Sequence, residues 1–168
     1  MKRFITGGLL LIFLVGVTSL APAPKFKYTA SEVKLSVTFP AQFTTTNSGS
    51  DDYHMVKTQC TDGDMVFFVT YSIYGDDFDM SDTDPLLDVS LSAFSEALGA
   101  NIKSESAWEV NKNTGVRATL ESQENDLKGE YRVIFINKTQ FQITAVAKKN
   151  AWDEKKASKF LKSFKITK

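Results

Sequence analysis

Apolar and polar residues alternate with period two along most of this chain, and the places where the period lengthens mark its helices. Val33-Lys34-Leu35-Ser36-Val37-Thr38-Phe39 alternates and stops at Pro40, which has no N–H to offer a ladder, so 33–39 predicts a strand. Residues 53–60 and 65–74 predict two more, on either side of Thr61-Asp62-Gly63-Asp64, where Asp62-Gly63 suits a type I′ hairpin turn. That turn would set Cys60 opposite Met65, Thr58 opposite Phe67, Val56 opposite Val69 and His54 opposite Tyr71. It places Cys60, Val56, Met65, Phe67, Val69 and Ile73 on one face, the core side.

The period then changes. Asp84 is a suitable N-cap, Pro85 suits a first helical turn, and Leu87, Leu91, Phe94 and Leu98 recur at helical spacing until Gly99 closes the segment. Residues 103–110, 116–123, 129–137 and 140–148 return to strand patterning, and the short turns between them imply an antiparallel meander. A second helix is predicted from Asn150, with Asp153 as a capping-box-like partner and Trp152, Ala157, Phe160, Leu161 and Phe164 as its apolar face. The expected fold class is α+β, a mostly antiparallel β-sheet of about six to seven strands with one mid-chain helix and one C-terminal helix packed on it.

Several of these pieces carry a resemblance. The opening Val33-Lys34-Leu35-Ser36-Val37-Thr38-Phe39-Pro40-Ala41-Gln42-Phe43, the mid-chain helix, Asn113-Thr114-Gly115 leading into a strand, and the closing Ala157-Ser158-Lys159-Phe160-Leu161-Lys162-Ser163-Phe164-Lys165-Ile166 resemble the PsbP-like superfamily. That superfamily includes a lumenal accessory protein of the oxygen-evolving photosystem, a nuclear import factor that binds a small GTPase, and many exported bacterial proteins. The resemblance spans nearly all of the chain beyond its N-terminal segment and implies a sheet flanked by helices in a non-catalytic accessory or binding role. The shared pieces are core strands and a closing helix, so no functional residue is carried across.

The N-terminus changes the picture by giving a compartment. Met1, Lys2 and Arg3 precede an apolar run from Phe4 to Leu20 and then Ala21-Pro22-Ala23-Pro24, the organisation of a secretory signal. Cleavage after Ala21 or Ala23 would put a proline on the far side of the scissile bond, whereas cleavage after Ser19, with Val17 at −3, avoids it. The run is also as long as the shortest spanning helices, about 17 residues, so retention as an anchor is the open alternative. We therefore divide the chain into a signal segment, 1–21, a short linker, 22–26, and a single domain, 27–168. A protein so addressed is exported, either periplasmic or secreted.

Charge and cysteine content narrow the chemistry. Cys60 is the only cysteine, which excludes an intramolecular disulfide and cysteine-rich zinc sites. The whole chain is formally neutral, yet between Asp51 and Asp88 ten aspartates face one lysine, and from Lys138 onward nine lysines face Asp153 and Glu154. Such a distribution is either a steering device for a charged partner or a solvated surface. His54 is the only histidine, and Cys60, six residues along the same strand, stands about 20 Å away at roughly 3.3 Å per residue, too far for a nucleophile–base pair. No nucleophile elbow, phosphate loop or zinc helix motif is present, and an enzyme is not expected.

Two charged surfaces remain. Asp76, Asp77, Asp79 and Asp82, in the loop 76–84 before the first helix, are the candidate ligands for a cation or small polar ligand. With Asp77 as position 1, Asp79, Ser81 and Asp88 fall at 3, 5 and 12 of a calcium loop, but Asp82 stands where the glycine belongs and Asp88 where the bidentate glutamate belongs. Calcium is thus the one cofactor to consider, against an expectation of none. Lys155, Lys159 and Lys162 share one face of the terminal helix and are the candidate partner-binding residues. They lack the interleaved aromatics that stack bases, so nucleic acid is not expected, and membrane contact would come only through a retained N-terminal segment. The resulting expectation is an exported, non-enzymatic binding or accessory module of the bacterial cell envelope with an envelope or extracellular protein partner. The alternative is a cation- or small-ligand-binding protein that uses the acidic loop.

Overall fold

The computed structural model describes residues 26–167. The predicted signal segment and residues 22–25 of the predicted linker lie outside them; Phe26, placed in the linker, opens a strand instead. In chain order the elements are β1 (Phe26–Ala30), β2 (Leu35–Phe39), β3 (Thr44–Gly49), β4 (Tyr53–Asp62), β5 (Met65–Tyr74) and α1 (Asp84–Leu98). There follow β6 (Asn101–Val110), β7 (Asn113–Ser122), β8 (Leu127–Ile136), β9 (Thr139–Lys148), a 3-10 turn (Lys149–Ala151), α2 (Glu154–Lys162) and β10 (Lys165–Ile166). Seven strands make one sheet in the order β3-β4-β5-β9-β8-β7-β6, and β1-β2-β10 make a second, small one. Every paired neighbour is antiparallel.

Both faces of the large sheet are covered at its centre, which is why β8 and β9 are buried almost throughout while β7, outside β8, alternates over its second half. On one face lie the small sheet and α2. Phe160 of α2 sits 5.1 Å from both Phe39 of β2 and Phe67 of β5, ring centre to ring centre, and all three are at most 2% exposed. Full burial of side chains of this size contributes about 1.5–3 kcal/mol each. On the other face α1 lays Leu87 and Leu91 over Ala118, Leu120, Tyr131 and Val133, and Phe94 stacks on Tyr131 at 4.3 Å.

The β4–β5 hairpin differs from expectation by two residues of register. Asp62 faces Met65, so Cys60 faces Phe67, Thr58 faces Val69, Val56 faces Tyr71 and His54 faces Ile73. The loop is Gly63-Asp64, with a positive φ of 62° at Gly63 alone, the pattern of a II′ rather than a I′ turn. Because side chains alternate with period two, the slip leaves each residue on its expected face: Cys60, Val56, Met65, Phe67 and Val69 are core, Ile73 packs against it, and Tyr71 joins them.

The helix ends differ too. Asp84 is the first residue of α1 rather than its cap; Thr83 occupies the N-cap without a side-chain bond, and Gly99 closes the helix at φ 55° as expected. α2 starts at Glu154, not Asn150, because Asp153 is itself the N-cap and accepts from the Lys156 N–H at 2.9 Å, while 149–151 wind as a 3-10 turn. Among the described residues no helix is long and apolar enough to cross a membrane.

Gly115 marks the tightest approach between β7 and β8. A Cβ there would lie against the Val133 carbonyl oxygen and 2.7 Å from the Ile134 Cβ, atoms that the sheet cannot move cheaply. We expect Gly115→Ala to destabilise the domain by about 1–3 kcal/mol, the usual cost of overpacking, read as a lower urea midpoint with an unchanged slope. A midpoint equal to that of the parent would show that β7 and β8 are not held this close.

Candidate functional site

Three carboxylates of the acidic loop each turn to a different donor. Asp76 reaches out to Lys138 at 2.8 Å, Asp79 accepts from the Ser81 N–H at 2.9 Å, and Asp82 accepts from the Asp84 N–H at 3.1 Å. The Lys138 ammonium holds the Asp76 carboxyl below the usual range, and the Ser81 N–H does the same for Asp79. Asp77 is exposed beside them. Among the described residues no group of three or more carboxylate, histidine or cysteine side chains converges as a metal site. Lys155, Lys159 and Lys162 are all exposed on the outer side of α2, while Lys156 turns aside to pair with Asp62 at 2.9 Å.

The lone histidine and cysteine stay apart. His54 is exposed at the start of β4, and Cys60 is 5% exposed within the core, where burial pushes its thiol pKa up. A raised pKa keeps the thiol neutral and inert.

A surface that pattern reading had not singled out lies on the α2 face of β6, β7 and β8. Lys128, Glu130 and Arg132 point to this face from β8, and Arg117 joins them from β7, where it pairs with Arg132. Glu130 is 3% exposed and Arg132 7%. One Glu130 oxygen, Oε1, accepts from Arg132 Nε at 2.9 Å and Nη2 at 2.6 Å, and from Arg117 Nε at 2.9 Å. Burying a carboxylate is tolerable only when charged donors replace its water, and here two guanidinium groups do so.

Both tryptophans of the chain frame this cluster. The Arg132 guanidinium stands 5.8 Å from the centre of the Trp108 ring, and Lys128 Nζ 5.3 Å from that of Trp152. Trp152 donates to Glu154 at the start of α2, and Trp108 packs against Phe164 just beyond its end. The helix therefore borders the cluster from one tryptophan to the other. On the opposite side, every residue of β6 except Trp108 and Val110 is exposed, and among the described residues the outer edge of β6 is unpaired.

A second concave feature opens where three turns meet the C-terminus. A cleft of about 320 Å³ is lined by Glu32, Lys34, Asn111 and Asn137, with Phe141 and Ile166 among its apolar residues. Below it, Tyr71 of β5 donates its phenol hydrogen to Glu32. That bond holds the Glu32 carboxyl below its usual range, and burial followed by the Glu32 contact pushes the Tyr71 phenol well above its own.

Two outcomes follow from these clusters. Arg132→Met should lower stability by about 3 kcal/mol in urea unfolding, the low end for removing one partner of a buried pair because Arg117 remains on Glu130; a loss within error of zero would mean that Glu130 reaches water. For Glu32 the folded pKa is depressed, so its stabilisation is present above the ordinary carboxylate pKa of 4.5 and is lost as pH falls through the lower folded value. Unfolding midpoints of the parent and Glu32→Gln should accordingly differ at neutral pH and converge in acid, and a gap that widens on acidification would contradict the assigned bond.

No family model and no curated protein matches the sequence. The fold has a counterpart among solved structures. The solution structure of cyanobacterial PsbP (CyanoP) from Synechocystis sp. PCC 6803 matches with a TM-score of 0.63, over 92% of this chain and 99% of that one, at 11% sequence identity. What the two share at that identity is the path of the backbone, and this chain has a PsbP-like fold.

Proposed function

We propose that this chain is an exported, non-enzymatic binding or accessory module of the bacterial cell envelope, and that it contacts a protein partner through the open face of β6, β7 and β8. The observation that carries the reading is the placement of both tryptophans with Arg117 and Lys128, backed by the buried Arg132, beside an exposed edge strand that is unpaired among the described residues. Tryptophan and arginine are the side chains most enriched where binding energy concentrates, because each offers a large contact area with a polar tip. The Glu130 cluster fixes the two guanidinium groups before any partner arrives, which reduces the ordering cost of association. Lys155, Lys159 and Lys162, on the outer side of the bordering helix, would speed the encounter with an acidic partner rather than hold it.

Two further points support a non-catalytic role. None of the hydrogen bonds among the described residues joins His54 to a hydroxyl or thiol, and Cys60 is a neutral core thiol. Export is read from Met1, Lys2 and Arg3 and the apolar run after them.

The test is site-specific photocrosslinking in cells. A photoreactive residue at Ser106, which faces Arg117 across the β6–β7 ladder, should yield a discrete protein adduct, whereas one at exposed Gln59 of β4 should not. Arg117→Ala should weaken binding of the captured partner about 30-fold, the effect of losing a contact worth some 2 kcal/mol. Equal adducts from both positions, or a partner indifferent to Arg117, would overturn the assignment.

A further inference from the structure

We propose that the cleft where the turns meet is a binding site for a small zwitterion of the α-amino acid class, with an apolar side chain. The proposal concerns a different surface from the partner face and does not rest on it.

The cleft is built from four stretches far apart in sequence: the β1–β2 turn, the β6–β7 turn, the β8–β9 turn and the C-terminal strand. At about 320 Å³ it sits at the small end of ligand pockets, which run from about 300 to 1,000 Å³, and suits an amino acid better than a nucleotide or a long chain. Its polar groups have both signs. Glu32 supplies a carboxylate that gives one oxygen to Tyr71 and keeps the other, and Asn111, whose amide nitrogen is committed to the Ile166 carbonyl at 2.6 Å, keeps its side-chain oxygen as an acceptor. Together these can receive an ammonium group. Lys34 is exposed and, among the described residues, makes no ion pair; with the Asn137 amide it offers donors to a carboxylate. Ile136, Phe141 and Ile166 give the third requirement, an apolar surface for a side chain.

Backbone geometry supports the same place. Of the five non-glycine residues with positive φ among the described residues, three line this cleft, Lys34 at 55°, Asn111 at 50° and Asn137 at 56°, and Lys112 at 69° follows Asn111 in its turn. Asparagine tolerates the left-handed region, but lysine there is uncommon and is held only when its surroundings insist. Lys34 is so held. Its N–H donates to the Ser31 carbonyl at 3.2 Å, and its own carbonyl accepts from the Thr167 N–H at 2.9 Å. Strained residues of this kind gather at ligand clamps, and this one carries the free ammonium.

Calorimetric titration of the purified protein with L-leucine and L-phenylalanine tests the site, with 4-methylpentanoate and isopentylamine as leucine analogues that each lack one charge. At least one amino acid should bind, and both analogues should bind about tenfold more weakly or worse, since each leaves a charged group unanswered. Glu32→Gln, which keeps an acceptor for Tyr71, should weaken the amino acid about tenfold and leave 4-methylpentanoate unchanged; Lys34→Gln should weaken the amino acid likewise and leave isopentylamine unchanged. Absence of heat up to about 10 mM of both amino acids, equal affinity for 4-methylpentanoate, or binding indifferent to both substitutions would each overturn the proposal.

Discussion

The pairing of β5 with β9 is the contact on which the rest of this structure depends. It joins a hairpin-rich first half to a four-strand meander, across nine residue pairs from Met65 with Ala147 to Ile73 with Thr139. With it, β9 is flanked on both edges and covered on both faces, and its sequence answers each requirement. Phe141, Ile143, Ala145 and Ala147 face the small sheet and α2, and the two alanines are small enough to let Ala157 of the helix approach until it is fully buried. The same register sets Tyr71 beside Phe141, so the phenol that anchors Glu32 and a wall of the cleft come from one cross-strand pair.

The charge asymmetry of the sequence is smaller in space than along the chain. Two ion pairs, Lys138 with Asp76 and Lys156 with Asp62, cross from the lysine-rich end to the aspartate-rich middle. Exposed pairs of this kind contribute at most about 1 kcal/mol, so they do little for stability. Their effect is on the field. Among the charges left over are the lysines on the outer side of α2 and the aspartates of the loop before α1, and these lie on elements that cover opposite faces of the large sheet.

Sequence pattern was legible where one face of an element is wet and the other dry. β2, the core side of β4 and β5, the meander and the apolar faces of both helices all announce themselves by period, and even a register slip of two leaves the faces right. β3 was invisible because Thr44, Thr45 and Thr46 begin a strand exposed on both faces, with no alternation to read. β1 was hidden by its closeness to the N-terminal segment. Among the candidate residues the failure has a sharper cause. Glu130 and Arg132 alternate with Tyr131 and Val133, the ordinary signature of a half-exposed strand, yet all four are buried. The signal was present in the apolar residues that follow, since Val133, Ile134 and Phe135 run without a polar gap, as strands buried on both sides do. Reading that run upstream would have made the two charges partners. Glu32 and Lys34 offered no such clue, because their neighbours in the cleft come from turns about 80 to 130 residues away, a separation no local window spans.

The last residues bind these features into one object. Ser163 exchanges hydrogen bonds with the backbone of Thr38, and Phe164 packs 5.1 Å from Trp108 and 6.0 Å from Phe141. Ile166 takes the Asn111 amide at its carbonyl, and Thr167 donates to Lys34. Five consecutive residues thus fix the ring against which Arg132 stands and two of the side chains that line the cleft. A two-residue strand, β10, is too short to be stable by itself, and its place is set by contacts made on either side of it. The closing segment is therefore more than the end of a helix. It is where the small sheet, the open face and the cleft are held in register with one another, so a change at any one of these residues reaches both surfaces.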